Sequence, residues 1–88
     1  MERFAGRVGL VTGGSAGIGL AIAGRLIGEG AEVTVCGRRA EVLAAAREAL
    51  GERASTQQLD VADASALQAL IREIQGRHGR FDFLVNNA

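Results

Sequence analysis

Short unbroken apolar runs alternate along this chain with longer segments of helical spacing. The first run, Arg7 to Thr12, carries Val8, Leu10 and Val11 with no polar residue between them. Such continuity predicts a strand covered on both faces, as in a parallel sheet, because a sheet wetted on one face would alternate. From Gly17 to about Gly28, the apolar residues Ile18, Ala21, Ile22, Leu26 and Ile27 fit a helix. Gly24 costs that helix about 1 kcal/mol relative to alanine, unless close helix-to-strand packing excludes a side chain. Gly28 or Gly30 can end it. Glu32 to Cys36, with Val33, Thr34 and Val35, suits a second strand because branched side chains pack well on a pleated surface. Between Ala40 and Leu50, the positions Val42, Leu43, Ala46, Ala49 and Leu50 mark one face of a second helix. A short third strand is expected near Ala54 to Leu59. Asp63 is a credible N-cap for a third helix with an apolar stripe at Leu67, Leu70, Ile71 and Ile74, stopped by Gly76 or Gly79. Phe81 to Val85 reads as a fourth strand, followed by Asn86, Asn87 and Ala88.

Strands and helices in this alternation predict an α/β fold, a parallel sheet built by right-handed crossovers, with spatial strand order 3-2-1-4. Ligands of such sheets bind beyond the carboxyl ends of the strands, where the strand order reverses. Four strand ends carry suggestive residues: the glycine-rich turn after the first, Arg38 and Arg39 after the second, Asp60 and Val61 after the third, Asn86 and Asn87 after the fourth.

Composition narrows the partners. Eighty-eight residues suffice for one small domain, and 48% apolar with 23% charged residues favours a packed core over disorder. Ten basic residues, all arginine, balance ten acids without forming a block, which argues against nucleic acid or an anionic membrane as the main partner. No apolar run approaches the roughly 20 residues of a membrane helix, and the N-terminus lacks a signal peptide's apolar stretch, so a cytoplasmic protein is expected. The single cysteine, Cys36, has no partner for a disulfide or a Cys-x-x-Cys site and reads as buried filler. No metal site is expected. His78 beside Arg77 suits a solvated helix C-terminus, where cations favour the dipole. Asp82, just before an apolar strand, reads better as a residue bonded to backbone than as a general base.

The stretch from Val8 to Gly19, V-G-L-V-T-G-G-S-A-G-I-G, carries the chemistry. Glycines let phosphates approach the backbone, and the following helix offers free N–H groups and its positive dipole end. A P-loop would need lysine after Gly19, and the chain has none. The glycines at Gly13, Gly17 and Gly19 also miss the common G-x-G-x-x-G spacing. What remains, T-G-x-x-x-G-I-G from Thr12 to Gly19, resembles the short-chain dehydrogenase/reductase family.

With Asp60-Val61 and Asn86-Asn87-Ala88, the resemblance spans nearly the whole chain and looks like the N-terminal half of a member of that family's classical subgroup. It implies a Rossmann-type doubly wound parallel sheet, here truncated after the fourth strand, so that residues 1–88 form a partial dinucleotide-binding domain without the catalytic half. Residues matching Gly13, Ser15, Gly17, Ile18 and Gly19 wrap the cofactor pyrophosphate in that family. In that family the residue matching Asp60 holds the adenine and the one matching Val61 lies beside its ring. Those matching Asn87 and Ala88 border the ribose near the nicotinamide in that family, while those matching Thr12 and Asn86 help tie the first and fourth strands. The catalytic Ser, Tyr and Lys have no counterpart, and the chain contains neither tyrosine nor lysine; these residues alone should be inactive.

Cofactor choice turns on the second strand end. An NAD-binding sheet places an acid about 20 residues after the glycine turn to bond the ribose 2′-hydroxyl, and this chain has Gly37-Arg38-Arg39 there. The resemblance assigns Arg38 as the primary and Arg39 as the secondary contact to a 2′-phosphate, so NADP(H) is expected over NAD(H). Against this, NADP-preferring members often carry a further basic residue where this chain has Ala16. Arg38 and Arg39 can also be read as solvated residues at a helix start, and Asp60 as a turn residue before Asp63. The readings carried forward are the cofactor-binding portion of a short-chain reductase acting on a carbonyl or alcohol, a nucleotide-binding or regulatory module without catalysis, and a flavodoxin-like domain. In its full-length form the resemblance implies a homo-oligomer. The fourth strand, uncovered on its outer side, is expected to make the isolated chain aggregate or pack loosely.

Overall fold

The computed structural model describes residues 3–13 and 16–87; Gly14, Ser15 and Ala88 lie outside the described residues. Seven elements follow in order: β1 (Val8–Thr12), α1 (Gly17–Gly28), β2 (Glu32–Gly37), α2 (Ala40–Leu50), β3 (Ala54–Gln58), α3 (Ala64–His78) and β4 (Phe83–Asn86). All pairings are parallel and the order is β3-β2-β1-β4, as the alternation predicts. Some boundaries differ from expectation. Arg7 stays outside β1, β2 runs on through Gly37, and β3 stops at Gln58 rather than Leu59. The fourth strand begins at Phe83, because Arg80 to Asp82 form a charged approach, and it continues to Asn86.

Each face of the sheet has its own core. Val11, Val33 and Val35 pack with Ala23 of α1 and Leu43 of α2, while Val8, Leu10 and Cys36 pack with Leu70 and Ile74 of α3. Period-two alternation within β1 and β2 separates the two sets, and every residue of β1 is buried, as its unbroken apolarity demands. The helix faces are narrower than their apolar content suggests. In α2, Leu43 and Ala46 are buried but Ala49 is exposed, and in α1 Ile18 is 73% exposed because it sits at the helix mouth rather than over the sheet. Asp63 caps α3, accepting from the backbone N–H of Ala66. The helix ends at Gly79, in the left-handed conformation, so Gly76 is an interior residue.

A contact invisible in the pattern joins β1 to β4. A side chain at Gly9 would run into the ring of Phe83, its register partner, so the missing Cβ makes room for an aromatic ring on the inner face. Beneath the sheet, opposite the strand ends of interest, two carboxylates anchor the chain. Asp82 accepts from the backbone N–H of Val8 (2.8 Å) and from Arg80, with Arg7 at 3.8 Å. Glu29 takes Arg3 and Arg25. Both carboxyls are held below their ordinary range, chiefly by Arg80 for Asp82 and by Arg3 for Glu29. Asp82 is thus a tie between distant backbone segments rather than a base.

Candidate nucleotide site

The carboxyl ends of the four strands converge on a hollow of about 310 Å³, lined by Gly13, Gly37, Arg38, Leu59, Asp60, Val61 and Asn87. A larger hollow of about 480 Å³ lies at the back of α1, lined by Arg3, Gly24, Arg25, Gly28 and Glu29. There both arginines are already taken by Glu29.

Crowding determines the turn after β1. A Cβ on Gly13 would stand 2.6 Å from the Asn87 carbonyl oxygen, at a φ of +67°. A Cβ on Gly19 would meet the Gly13 carbonyl well inside 3.0 Å and the Asn87 side-chain nitrogen at 2.8 Å. Gly17 differs: nothing lies within 4 Å of the space a side chain would take, and its φ of +58° is what requires glycine. Two glycines therefore let the turn fold against the chain itself, and the third leaves the mouth of α1 open.

Among the described residues, that mouth has no side-chain partner. Ala16 stands at the N-cap with no side-chain hydrogen bond, and the first turn holds no acid. Each of the other two helices has one of these: α3 the Asp63 cap, α2 an acid, Glu41, in its first turn. The N-terminal N–H groups of α1 and its positive dipole end thus face a place suited to an anion.

Thr12 locks the floor. The hydroxyl of this buried residue accepts from the backbone N–H of Asn87 (3.0 Å) and can donate to the Asn86 side-chain oxygen (3.0 Å) or the Val85 carbonyl (3.3 Å). This ties the ends of β1 and β4 directly. Asn87 in turn reaches the Gly13 carbonyl with its side-chain amide at 3.5 Å. Below the turn, the Gly13 N–H donates to the Cys36 carbonyl at 3.1 Å. Burial pushes the Cys36 thiol up, which suits filler rather than a nucleophile. No group of three or more His, Cys, Asp and Glu able to hold a metal occurs among the described residues.

The far rim comes from β2 and β3. Asp60 accepts from the backbone N–H of Ala62 (2.9 Å) with one carboxylate oxygen, and its other oxygen lies 3.9 Å from the Arg38 guanidinium. It is thus a turn residue and a rim residue at once. Val61 is 43% exposed beside it. Arg39 stands exposed at the N-cap of α2, farther along the loop and outside the lining of the hollow. Two rim residues escape sequence reasoning. Gln58 donates from its side chain to the Arg38 carbonyl (2.9 Å), and Leu59 lines the hollow while its N–H donates to the Gly37 carbonyl (2.9 Å). Only the β2–β3 register, with Gly37 opposite Gln58, reveals them. Of the residues singled out in the sequence, Gly13, Arg38, Asp60, Val61 and Asn87 share one hollow; Thr12 and Asn86 lie beneath it, and Gly17, Ile18 and Gly19 open α1.

A parallel sheet with helices on both faces and a glycine turn at its strand-order reversal defines a nucleotide-binding class of α/β protein. The sequence pattern of the family described as short chain dehydrogenase matches residues 7–88, and the chain belongs to that family. It is 42% identical over 91 residues to a 3beta-hydroxysteroid dehydrogenase of Mediterraneibacter gnavus, an alignment covering 100% of this chain and 33% of that protein. It is also 42% identical over 79 residues to the NADP-dependent 3-hydroxy acid dehydrogenase YdfG of Salmonella typhi, covering 90% of this chain and 32% of the relative. A solved short chain dehydrogenase from Bacillus anthracis superposes with a TM-score of 0.91 at 36% identity, over 97% of this chain and 35% of that one. The chain thus spans about a third of the length of the relatives it matches. No helix among the described residues is long and apolar enough to cross a membrane.

Proposed function

We propose that this chain is the NADP(H)-binding N-terminal portion of a short-chain oxidoreductase acting on a carbonyl or alcohol. One observation carries the reading: Arg38 lines the strand-end hollow, and the first turn of α1, uncapped among the described residues, packs through Gly19 on Gly13 and Asn87 of the same hollow. The pyrophosphate would lie at the first turn of α1, over Gly17 and Ile18, where no side-chain cap or acid among the described residues competes for the N–H groups. Adenine would enter the hollow beside Val61 and Asp60, and Arg38, backed by Arg39, would take the ribose 2′-phosphate. Asn87, with its backbone N–H held by Thr12, would border the nicotinamide-side ribose.

When bound, the nicotinamide supplies hydride. Hydride transfer to a carbonyl needs a proton donor at the developing alkoxide, and these residues, without tyrosine or lysine, do not supply the tyrosine-lysine pair that would serve. The same absence supports a second reading, a nucleotide-binding module without catalysis. The coding sequence beyond Ala88 separates the two, since a Tyr-x-x-x-Lys segment downstream means reductase.

The cofactor assignment is tested by titrating NADPH and NADH into the full-length protein and its Arg38→Ala variant. A hydrogen bond to a charged group contributes roughly 1.5 to 3 kcal/mol, so the variant should lose about ten- to a hundredfold of its NADPH affinity and little of its NADH affinity. Preference for NADH in the unmutated protein, or an unchanged ratio after substitution, overturns the assignment.

A further inference from the structure

We propose that Asp60 is a specificity-determining residue that competes with the cofactor's 2′-phosphate for Arg38 and so weakens the preference for a phosphorylated dinucleotide. This rests on the cofactor reading above and adds to it an antagonist built into the same rim.

The two residues face each other because both main chains are held. Gly37 and Arg38 are gripped through their carbonyls by the Leu59 N–H and the Gln58 side chain, each at 2.9 Å. The Asp60 carboxylate is held by the Ala62 N–H, which occupies one oxygen and leaves the other toward the guanidinium at 3.9 Å. Arg38 therefore lies across the edge of the hollow, with its charge partnered by Asp60. The side chains are 76% and 53% exposed, so solvent screens the pair and makes it easy to break. It acts as a competitor, not a lock.

A phosphate presents more negative charge than a carboxylate and can accept two parallel N–H bonds from one guanidinium. It should draw Arg38 away. Asp60 cannot follow, because the Ala62 N–H holds it, and it remains as a like charge near the incoming phosphate. Both effects oppose the phosphorylated ligand and spare the unphosphorylated one. Asp60→Asn keeps an acceptor for the Ala62 N–H and removes the charge.

The experiment uses adenosine 2′,5′-bisphosphate and adenosine 5′-monophosphate, which engage this part of the site without the nicotinamide. Affinities are measured calorimetrically on the full-length protein, Asp60→Asn, Arg38→Ala and the double variant, at low and high salt, with a thermal melt of each. Exposed pairs of this kind couple weakly, so Asp60→Asn should raise the bisphosphate-to-monophosphate affinity ratio about two- to fivefold at low salt. The gain should shrink at high salt and in the Arg38→Ala background, with the melting temperature unchanged. An unchanged or lowered ratio in Asp60→Asn overturns the proposal, as does an equal gain with Arg38 removed. An unmutated protein that binds neither nucleotide overturns the cofactor reading itself.

Discussion

Alanine at Gly19 and alanine at Gly24 set two steric situations on one helix against each other. At Gly24 the added methyl would rest 3.6 Å from a terminal carbon of Leu50, an ordinary contact. The helix then gains the difference in propensity between the two residues, about 0.5 to 1 kcal/mol, or a rise of roughly 4 °C in melting temperature for a domain of this size. At Gly19 the methyl would collide with the Gly13 carbonyl and stand 2.8 Å from the Asn87 side-chain nitrogen. Both must retreat, the carbonyl by roughly 1 Å, and displacement of this kind in a well-packed site costs about 1 to 3 kcal/mol. Gly19→Ala should therefore melt below the unmutated protein with no cofactor present, and its lost dinucleotide affinity reports a displaced turn as well as a blocked phosphate. Gly17→Ala isolates the ligand's share, since the added methyl meets nothing within 4 Å among the described residues beyond its own helix and costs the left-handed strain of about 1 to 2 kcal/mol. Melts followed by circular dichroism, with and without NADPH, rank the three. If Gly19→Ala melts at or above Gly24→Ala, the crowding described here is wrong.

Thr12→Val should destabilise by about 1 kcal/mol, because the Asn87 N–H and the Asn86 side chain lose the part-buried hydroxyl they share; Thr12→Ser should recover most of this in a urea titration. Asp82 has its carboxyl held down by Arg80 and the Val8 N–H, so its stabilisation is complete above the ordinary carboxylate pKa and is lost as pH falls through the lower folded value. Asp82→Asn should accordingly be less stable at neutral pH and lose less on acidification, and parallel acid-unfolding curves for the two proteins would refute this. Leu84 is 45% exposed on the edge strand β4. For the 88 residues expressed alone, Leu84→Lys should reduce concentration-dependent association in sedimentation without lowering the melting temperature.

The order of elements, the parallel sheet and the four strand ends that line the hollow were legible in the chain because each rests on a local cause. Unbroken apolarity marks a strand covered on both faces, helical spacing marks the crossovers, Asp63 marks a cap, and the glycines after Thr12 mark the turn. Arg38 at the end of β2 was legible for the same reason, since it is counted along the chain from the glycines. What tertiary structure decided are contacts between residues far apart in sequence. Gly9 carried no signal within its own strand, and Phe83, 74 positions later, fills the space above it. Gly19 was read only as a ligand contact, and the structure adds that a side chain there would meet Gly13 and Asn87. Asp60 allowed two readings, turn or ligand contact, and its two oxygens face a turn N–H and a guanidinium. Gln58 carried no signal at all, because its role depends on lying opposite Gly37. Sequence spacing records what a residue does within its own element; strand register, which places Gln58 beside Arg38 and Thr12 beside Asn86, arises only when separate elements pack.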